Sequence, residues 1–243
     1  MSAQKATVEN TVLALFDLDH TLLPLDSDYA WGQFLVKVGA VDAASFAADN
    51  QALMDEYNAG TLTAERSLPI LLAPLAAHSQ THAGRKQLDA WHAQFMDEVI
   101  LPVILPAARA LIARHQNQGH LCAVVTATNR FVTAPIVAAL GIPHLIATEP
   151  ETKQDEMGLE AFTGNWVGTP CFKEGKTTRV NAWLAGQGKT LVDFSESWFY
   201  SDSVNDVPLM SCVTHPVACN PSATLLAHAL ENNWRVIKLW DFC

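Results

Sequence analysis

The sequence predicts an α/β fold: a doubly wound parallel sheet whose first strand is separated from the others by a helical insertion. Three observations carry this. Val12–Phe16 is an apolar run without polar alternation, the pattern of a strand buried on both faces of a parallel sheet. The stretch from about Pro24 to Val103 then reads as consecutive amphipathic helices. From Pro106 onward helix and strand signals alternate, as they do where helices cover both faces of one sheet. The expected division is an α/β core of residues 1–23 and 104–243 and a helical cap of residues 24–103.

Within the insertion, Asp26 and Ser27 are suited to cap a helix with the apolar face Trp31, Phe34, Leu35 and Val38, stopped by Gly39. A second helix carries Phe46, Leu53, Met54 and Tyr57 up to Gly60. Thr63 caps a third with Leu68, Leu71, Leu72 and Leu75, which Pro69 and Pro74 should kink or shorten. A fourth presents Leu88, Trp91, Phe95 and Val99. These stripes have ordinary helical core spacing, and His78, His82 and His92 are too loosely spaced to be read as a metal site.

After the insertion, Pro106 opens a helix that presents Leu111 and Ile112 and ends at Gly119. Leu121–Val125 is a second buried strand, and Phe131–Leu140 a helix stopped by Gly141. A short strand follows near Leu145–Ala147, then a hairpin from Met157-Gly158 to Thr163-Gly164, then a helix with Val180, Trp183 and Leu184. Strands at Trp198–Tyr200 and Val217-Ala218 and a helix opened by Asn220-Pro221 complete the chain.

Composition narrows the function. At 243 residues and 49% hydrophobic content the chain can bury a substantial core. No apolar run approaches the roughly 20 residues that span a bilayer, and Met1–Asn10 lacks the apolar centre of a signal peptide, so a soluble cytoplasmic protein is expected. The five cysteines are odd in number and scattered, which signals neither a disulfide framework nor a zinc site. A net charge of -10 argues against nucleic acid or an anionic membrane as partner. An anionic substrate must then be small and met by local positive charge.

The chemistry-bearing residues fall where apolar runs end, and in open α/β sheets ligands bind outside the carboxyl ends of the strands. Phe16 leads into Asp17-Leu18-Asp19-His20-Thr21, Val125 into Thr126, and Tyr200 into Ser201-Asp202. If strand geometry persists past Phe16, Asp17 and Asp19 project to one side and can share a ligand. Two such carboxylates call for a cation or a proton between them, and Mg²⁺ suits an all-oxygen site. The plainer reading is an Asp-rich turn that caps the next segment. Asp202-Ser203-Val204-Asn205-Asp206 opens a helix ending near Cys212; capping accounts for one of these residues, and the extra carboxylate suggests a second metal ligand. Lys176 lies near a helix start, with Lys173 competing for the same role, and His20 is read as incidental.

Taken together, Asp17-Leu18-Asp19-His20-Thr21, Thr126, Lys176 and Asp202 with Asp206 resemble the four ordered motifs of the haloacid-dehalogenase-like hydrolases. The helical insertion after the first motif is similar to the cap of the phosphoserine-phosphatase-like branch, subfamily IB. The resemblance covers nearly the whole chain and implies a Rossmann-like core. It implies a phosphomonoester hydrolase with Asp17 as nucleophile, forming an aspartyl-phosphate, and Asp19 as general acid and base. Mg²⁺ would be held by Asp17, the backbone carbonyl of Asp19 and Asp202, with Asp206 in or beside the shell. Thr126 would hydrogen-bond the phosphoryl group, and Lys176 would neutralise it. Thr21, inside the first motif, joins Asp26 as a substrate-side candidate.

The expected substrate is a small phosphomonoester. Where phosphoserine phosphatases carry a glutamate for the substrate amine this chain has Asp26, and where they carry an arginine for the carboxylate it has Leu71, with Arg66 nearby. Residues 26–100 hold 10 Asp and Glu against 4 Lys and Arg, compatible with a cationic amine or imidazole. The chain is also similar to a bacterial group that includes histidinol-phosphate phosphatases, so histidinol phosphate is the favoured substrate. The alternatives are a phosphoserine-type phosphatase, a phosphotransferase to an alcohol, and, from another class, a receiver-like signalling module. The last would not carry so large an insertion.

Overall fold

The computed structural model describes residues 11–58, 61–154, 156 and 158–240. Met1–Asn10, Gly60, Met157 and Cys243, on which some of the sequence expectations fall, lie outside the described residues. The sheet takes β1 (Val12–Phe16), β2 (Leu121–Asn129), β3 (His144–Gln154), β4 (Glu160–Val167), β5 (Glu196–Ser201), β6 (His215–Cys219) and β7 (Arg235–Ile237). They lie in the order β4-β3-β2-β1-β5-β6-β7, parallel except for the antiparallel β3–β4 pair.

The absence of alternation in β1 has the expected cause. Ala14 and Phe16 enter one apolar cluster with Val124, Tyr200 and Val217, while Leu13 and Leu15 enter a second with Ala123, Val125 and Phe199. Both faces of the strand are thus covered. Full burial of each large side chain contributes about 1.5–3 kcal/mol.

Between β1 and β2 come α1 (Ser27–Lys37), α2 (Ala43–Asn58), α3 (Ala64–His78) and α4 (His82–Phe95). Their apolar faces do not form a separate core. Trp31, Phe34, Leu72 and Phe95 belong to the same cluster as Phe16 and Val124, so the insertion packs into one sheet face. The other face is covered by α7 (Glu174–Ala185), α8 (Val207–Met210) and α9 (Ala223–Glu231), through Val180, Leu184, Leu209 and Leu225. The helices α5 (Pro106–Gln116) and α6 (Arg130–Ala139) complete the first face with Leu111, Ile112 and Ile136.

Several local expectations are corrected. Pro69 and Pro74 lie inside α3 and do not shorten it, since it runs on to His78; burial of Leu68, Leu72 and Leu75 holds the turns together. The fourth helix stops being α-helical at Phe95 and continues as a wider π-turn over Met96–Ile100. The short strand near Leu145 and the hairpin form one unit, because β3 runs on to Gln154 and pairs directly with β4. The segment after Asp202 is a 3₁₀ turn, Val204–Asp206, leading into the short α8 rather than one helix to Cys212. The cap of α9 is Ser222, whose side chain accepts from Leu225 N–H, rather than Asn220-Pro221.

Candidate active site

In register, Phe16 pairs with Val124 on β2 and with Tyr200 on β5. The residues that follow on these three neighbouring parallel strands therefore emerge at one edge, which places Asp17, Thr126 and Asp202 together. The Asp17 N–H donates to the Tyr200 carbonyl at 2.9 Å, and then the strand geometry ends. The N–H groups of Thr21, Leu22 and Leu23 all donate to the Leu18 carbonyl, at 3.3, 2.8 and 3.0 Å, and His20 adopts φ 56°. This turn corrects the expectation that Asp17 and Asp19 project to one side. The two carboxylates diverge and meet different partners.

Asp17 faces Lys176. The ammonium donates to Asp17 Oδ1 at 2.8 Å and to Asp206 Oδ2 at 2.7 Å, and the three residues are only 4%, 6% and 1% exposed for Lys176, Asp17 and Asp206. Burial alone would push the Lys176 pKa down, but the charges of Asp17 and Asp206 prevail and hold it above its ordinary value. The Ser201 hydroxyl also donates to Asp206 Oδ2, at 2.7 Å. The rival Lys173 is turned to the Leu62 carbonyl, 3.2 Å away, which leaves Lys176 as the lysine of the site.

Asp19 turns towards β2 and the start of α1. Its Oδ1 accepts from Ser27 N–H at 2.8 Å, and its Oδ2 from the hydroxyls of Thr128 at 2.9 Å and Thr126 at 3.4 Å. Burial, and then the negative charge of Asp26, raise its pKa to about 6, against the pull of Ser27 and Thr128. Asp26 is exposed at the rim, and its Oδ1 caps α1 by accepting from Tyr29 N–H at 2.9 Å.

Thr21 joins the first and last motifs. Its Oγ1 lies 3.3 Å from Asp17 Oδ2 and 3.2 Å from Asp202 Oδ1, and accepts from Asp202 N–H at 3.0 Å. One hydroxyl proton can serve only one of the two carboxylates. Burial, and then the charges of Asp17 and Asp206, raise the Asp202 pKa well above its ordinary range. Three carboxylates around one ammonium leave excess negative charge, so the donor set fits a hard divalent cation. Among the described residues no group of three or more His, Cys, Asp or Glu side chains is placed to hold a metal ion.

Comparison with known proteins assigns the family. Residues 14–211 match the family described as haloacid dehalogenase-like hydrolase. The chain belongs to the haloacid dehalogenase-like hydrolases. It is an enzyme, a phosphatase of that family. A histidinol-phosphatase of Neisseria meningitidis serogroup C (strain 8013) is 44% identical over 226 residues, covering 93% of this chain and 98% of that relative. A solved structure of a protein of unknown function from Bordetella pertussis Tohama I is 52% identical, with TM-score 0.86, over 95% of this chain and 100% of that one. A substrate-bound phosphoserine phosphatase, at 17% identity and TM-score 0.62 over 92% and 99% of the two chains, shares the fold.

Within this hydrolase site, sequence reasoning missed Asp28 and Thr128, and named Ser27 only as a helix cap and Ser201 only as the strand-end residue before Asp202. Thr128 had a signal, since Thr126-Ala127-Thr128 in an extended strand puts both threonines on one face. β2 also loses register with β3 between Val125 and Asn129, an irregularity that re-aims side chains at a strand end. Asp28 had none, because it looks like an ordinary first-turn helix residue.

Proposed function

We propose that this phosphatase is Mg²⁺-dependent, works through an aspartyl-phosphate on Asp17, and acts on histidinol phosphate. The observation that carries the chemistry is the buried Lys176 ammonium between Asp17 and Asp206. Asp17 attacks phosphorus as the bond to the ester oxygen breaks, and Asp19 gives that oxygen its proton. Water then attacks the phosphorus, Asp19 takes the water proton, and the bond to Asp17 breaks to release inorganic phosphate. A pKa of about 6 on Asp19 supports both proton transfers near neutral pH. Lys176 and the Thr126 hydroxyl hold phosphoryl oxygens, while Thr21 borders the phosphoryl site between Asp17 and Asp202. Mg²⁺, held by Asp17, the Asp19 carbonyl and Asp202 with Asp206 beside the shell, would neutralise charge on the transferring group.

Residues 24–103 act as the cap that selects substrate. Two features favour a cationic, carboxylate-free substrate. Arg66 is paired with Glu56 at 2.9 Å, and Leu71 replaces the expected arginine. Asp26 adds negative charge at the rim, and the likeness to the Neisseria histidinol-phosphatase points the same way. The test is phosphate release from histidinol phosphate, phosphoserine and sugar phosphates. Release from histidinol phosphate should be preferred, should stop when EDTA removes Mg²⁺, and should disappear in Asp17→Asn. Undiminished turnover by that variant would remove Asp17 as nucleophile.

A further inference from the structure

We propose that Asp28 is the specificity-determining residue of this site, receiving a cationic amine or imidazolium that the substrate carries close to its ester oxygen. The inference rests on the phosphomonoesterase reading above and adds a residue to it. Asp28 stands in the first turn of α1, beside the strand end that bears Thr128 and Asn129. Asn129 Nδ2 donates to Asp28 Oδ1 at 3.2 Å. Thr128 lies close to it as well, but the single hydroxyl proton of Thr128 already goes to Asp19 Oδ2 at 2.9 Å. Asp28 and Asp19 therefore flank the same threonine. A substrate whose ester oxygen meets Asp19 would carry its next substituent towards Asp28.

The surroundings are short of positive charge. Burial first, then the charges of Asp26 and Asp19, press the Asp28 carboxyl towards its neutral form, and the nearby Thr128 hydroxyl and the Asn129 amide oppose them. No lysine or arginine is among the leading influences on Asp28 or Asp19. The site lysine is held by Asp17 and Asp206, and Lys173 by the Leu62 carbonyl. A second observation points to a missing partner. Ser27, between Asp26 and Asp28, is fully buried with its N–H on Asp19, yet its hydroxyl oxygen accepts no hydrogen bond. The O–H of that hydroxyl faces the Asp19 carboxylate closely enough to favour its charge. A buried hydroxyl oxygen with free acceptor capacity beside three carboxylates is a place for a ligand with several N–H donors, which an ammonium supplies.

The experiment compares Asp28→Asn, Asp28→Glu and Asp26→Asn on two series of esters. One is cationic, histidinol phosphate and phosphoethanolamine; the other has no amine, glycerol 2-phosphate and p-nitrophenyl phosphate. In Asp28→Asn the ratio of kcat/KM for cationic over amine-free esters should fall at least tenfold, mostly through KM. Asp28→Glu should recover part of it, and Asp26→Asn should shift it less, because the Asp26 carboxylate is exposed and screened. A ratio unchanged within twofold in Asp28→Asn overturns the proposal. Binding of unphosphorylated histidinol, measured by calorimetry, gives a readout that does not require turnover. It should weaken at least tenfold in Asp28→Asn, and equal binding by both proteins overturns the proposal. If the wild-type protein hydrolysed no ester of either series, the phosphatase reading would fail separately, and the calorimetric comparison would still decide the role of Asp28.

Discussion

Lys176 stays charged in the interior only because two carboxylates lie within hydrogen-bond distance of its ammonium. Removing one partner of such a buried set leaves an uncompensated charge and costs about 3–5 kcal/mol, whereas removing opposite charges together costs much less. Lys176→Met should therefore lower stability to urea by about 3 kcal/mol, and Lys176→Met with Asp206→Asn should recover part of that loss. Phosphate release should fall by about 100-fold or more on every ester alike, since in the proposed mechanism the ammonium acts on the shared phosphoryl group. Urea unfolding curves and initial rates check the two halves. The residue pattern alone did not separate Lys176 from Lys173; the family resemblance pointed to Lys176. What separates them is their place at the start of α7: Lys173, at φ 51°, precedes the helix and reaches the Leu62 carbonyl, while Lys176, three residues on, reaches Asp17.

At the scale of the element, the first turn of α7 sets where that ammonium lies, and Gly175 sets how closely the turn can approach the preceding loop. A Cβ on Gly175 would stand 2.0 Å from the Pro170 carbonyl oxygen, a distance that forces the backbone apart. Gly175→Ala should displace Lys176 from Asp17, lower activity at least tenfold and reduce the melting temperature. Gly186→Ala is the control at the other end of the same helix, where φ is -61° and the nearest atom stands at 3.5 Å, so it should change neither. Activity and thermal denaturation of both variants test this. The elements themselves were largely readable, because each strand and helix repeats a pattern over many residues. The departures were at ends: β2 runs on to Asn129, α4 gives way to a π-turn, and β3 joins the hairpin, since tertiary pairing extends a strand past its apolar run.

At the scale of the molecule, α5 is tied to the central sheet by a neutral polar chain. His115 Nε2 lies 2.8 Å from the Tyr200 hydroxyl, and its Nδ1 lies 2.9 Å from His120 Nδ1. Burial, followed by the charges of His120 and Arg114, lowers the His115 pKa from 6.5 to about 4. The unfolded chain thus takes up this proton near pH 6.5 and the folded chain only near pH 4, so the stabilisation is complete above the first value and is lost as pH falls towards the second. Between about pH 7.5 and about pH 5, wild type should lose about 2 kcal/mol more stability than His115→Gln, measured by urea unfolding. The sequence by itself determined the α/β class and the place of the insertion, and pointed to Asp17, Asp19, Thr126 and Asp202 as candidates, because strand ends and periodic apolar faces are local signals. Only the tertiary structure decided that Asp19 faces Thr128, that Asp206 anchors Lys176, and that Asp28 stands beside the site. Those relations join residues far apart in the chain, and which of them meet depends on strand order and on the way the insertion packs into the sheet.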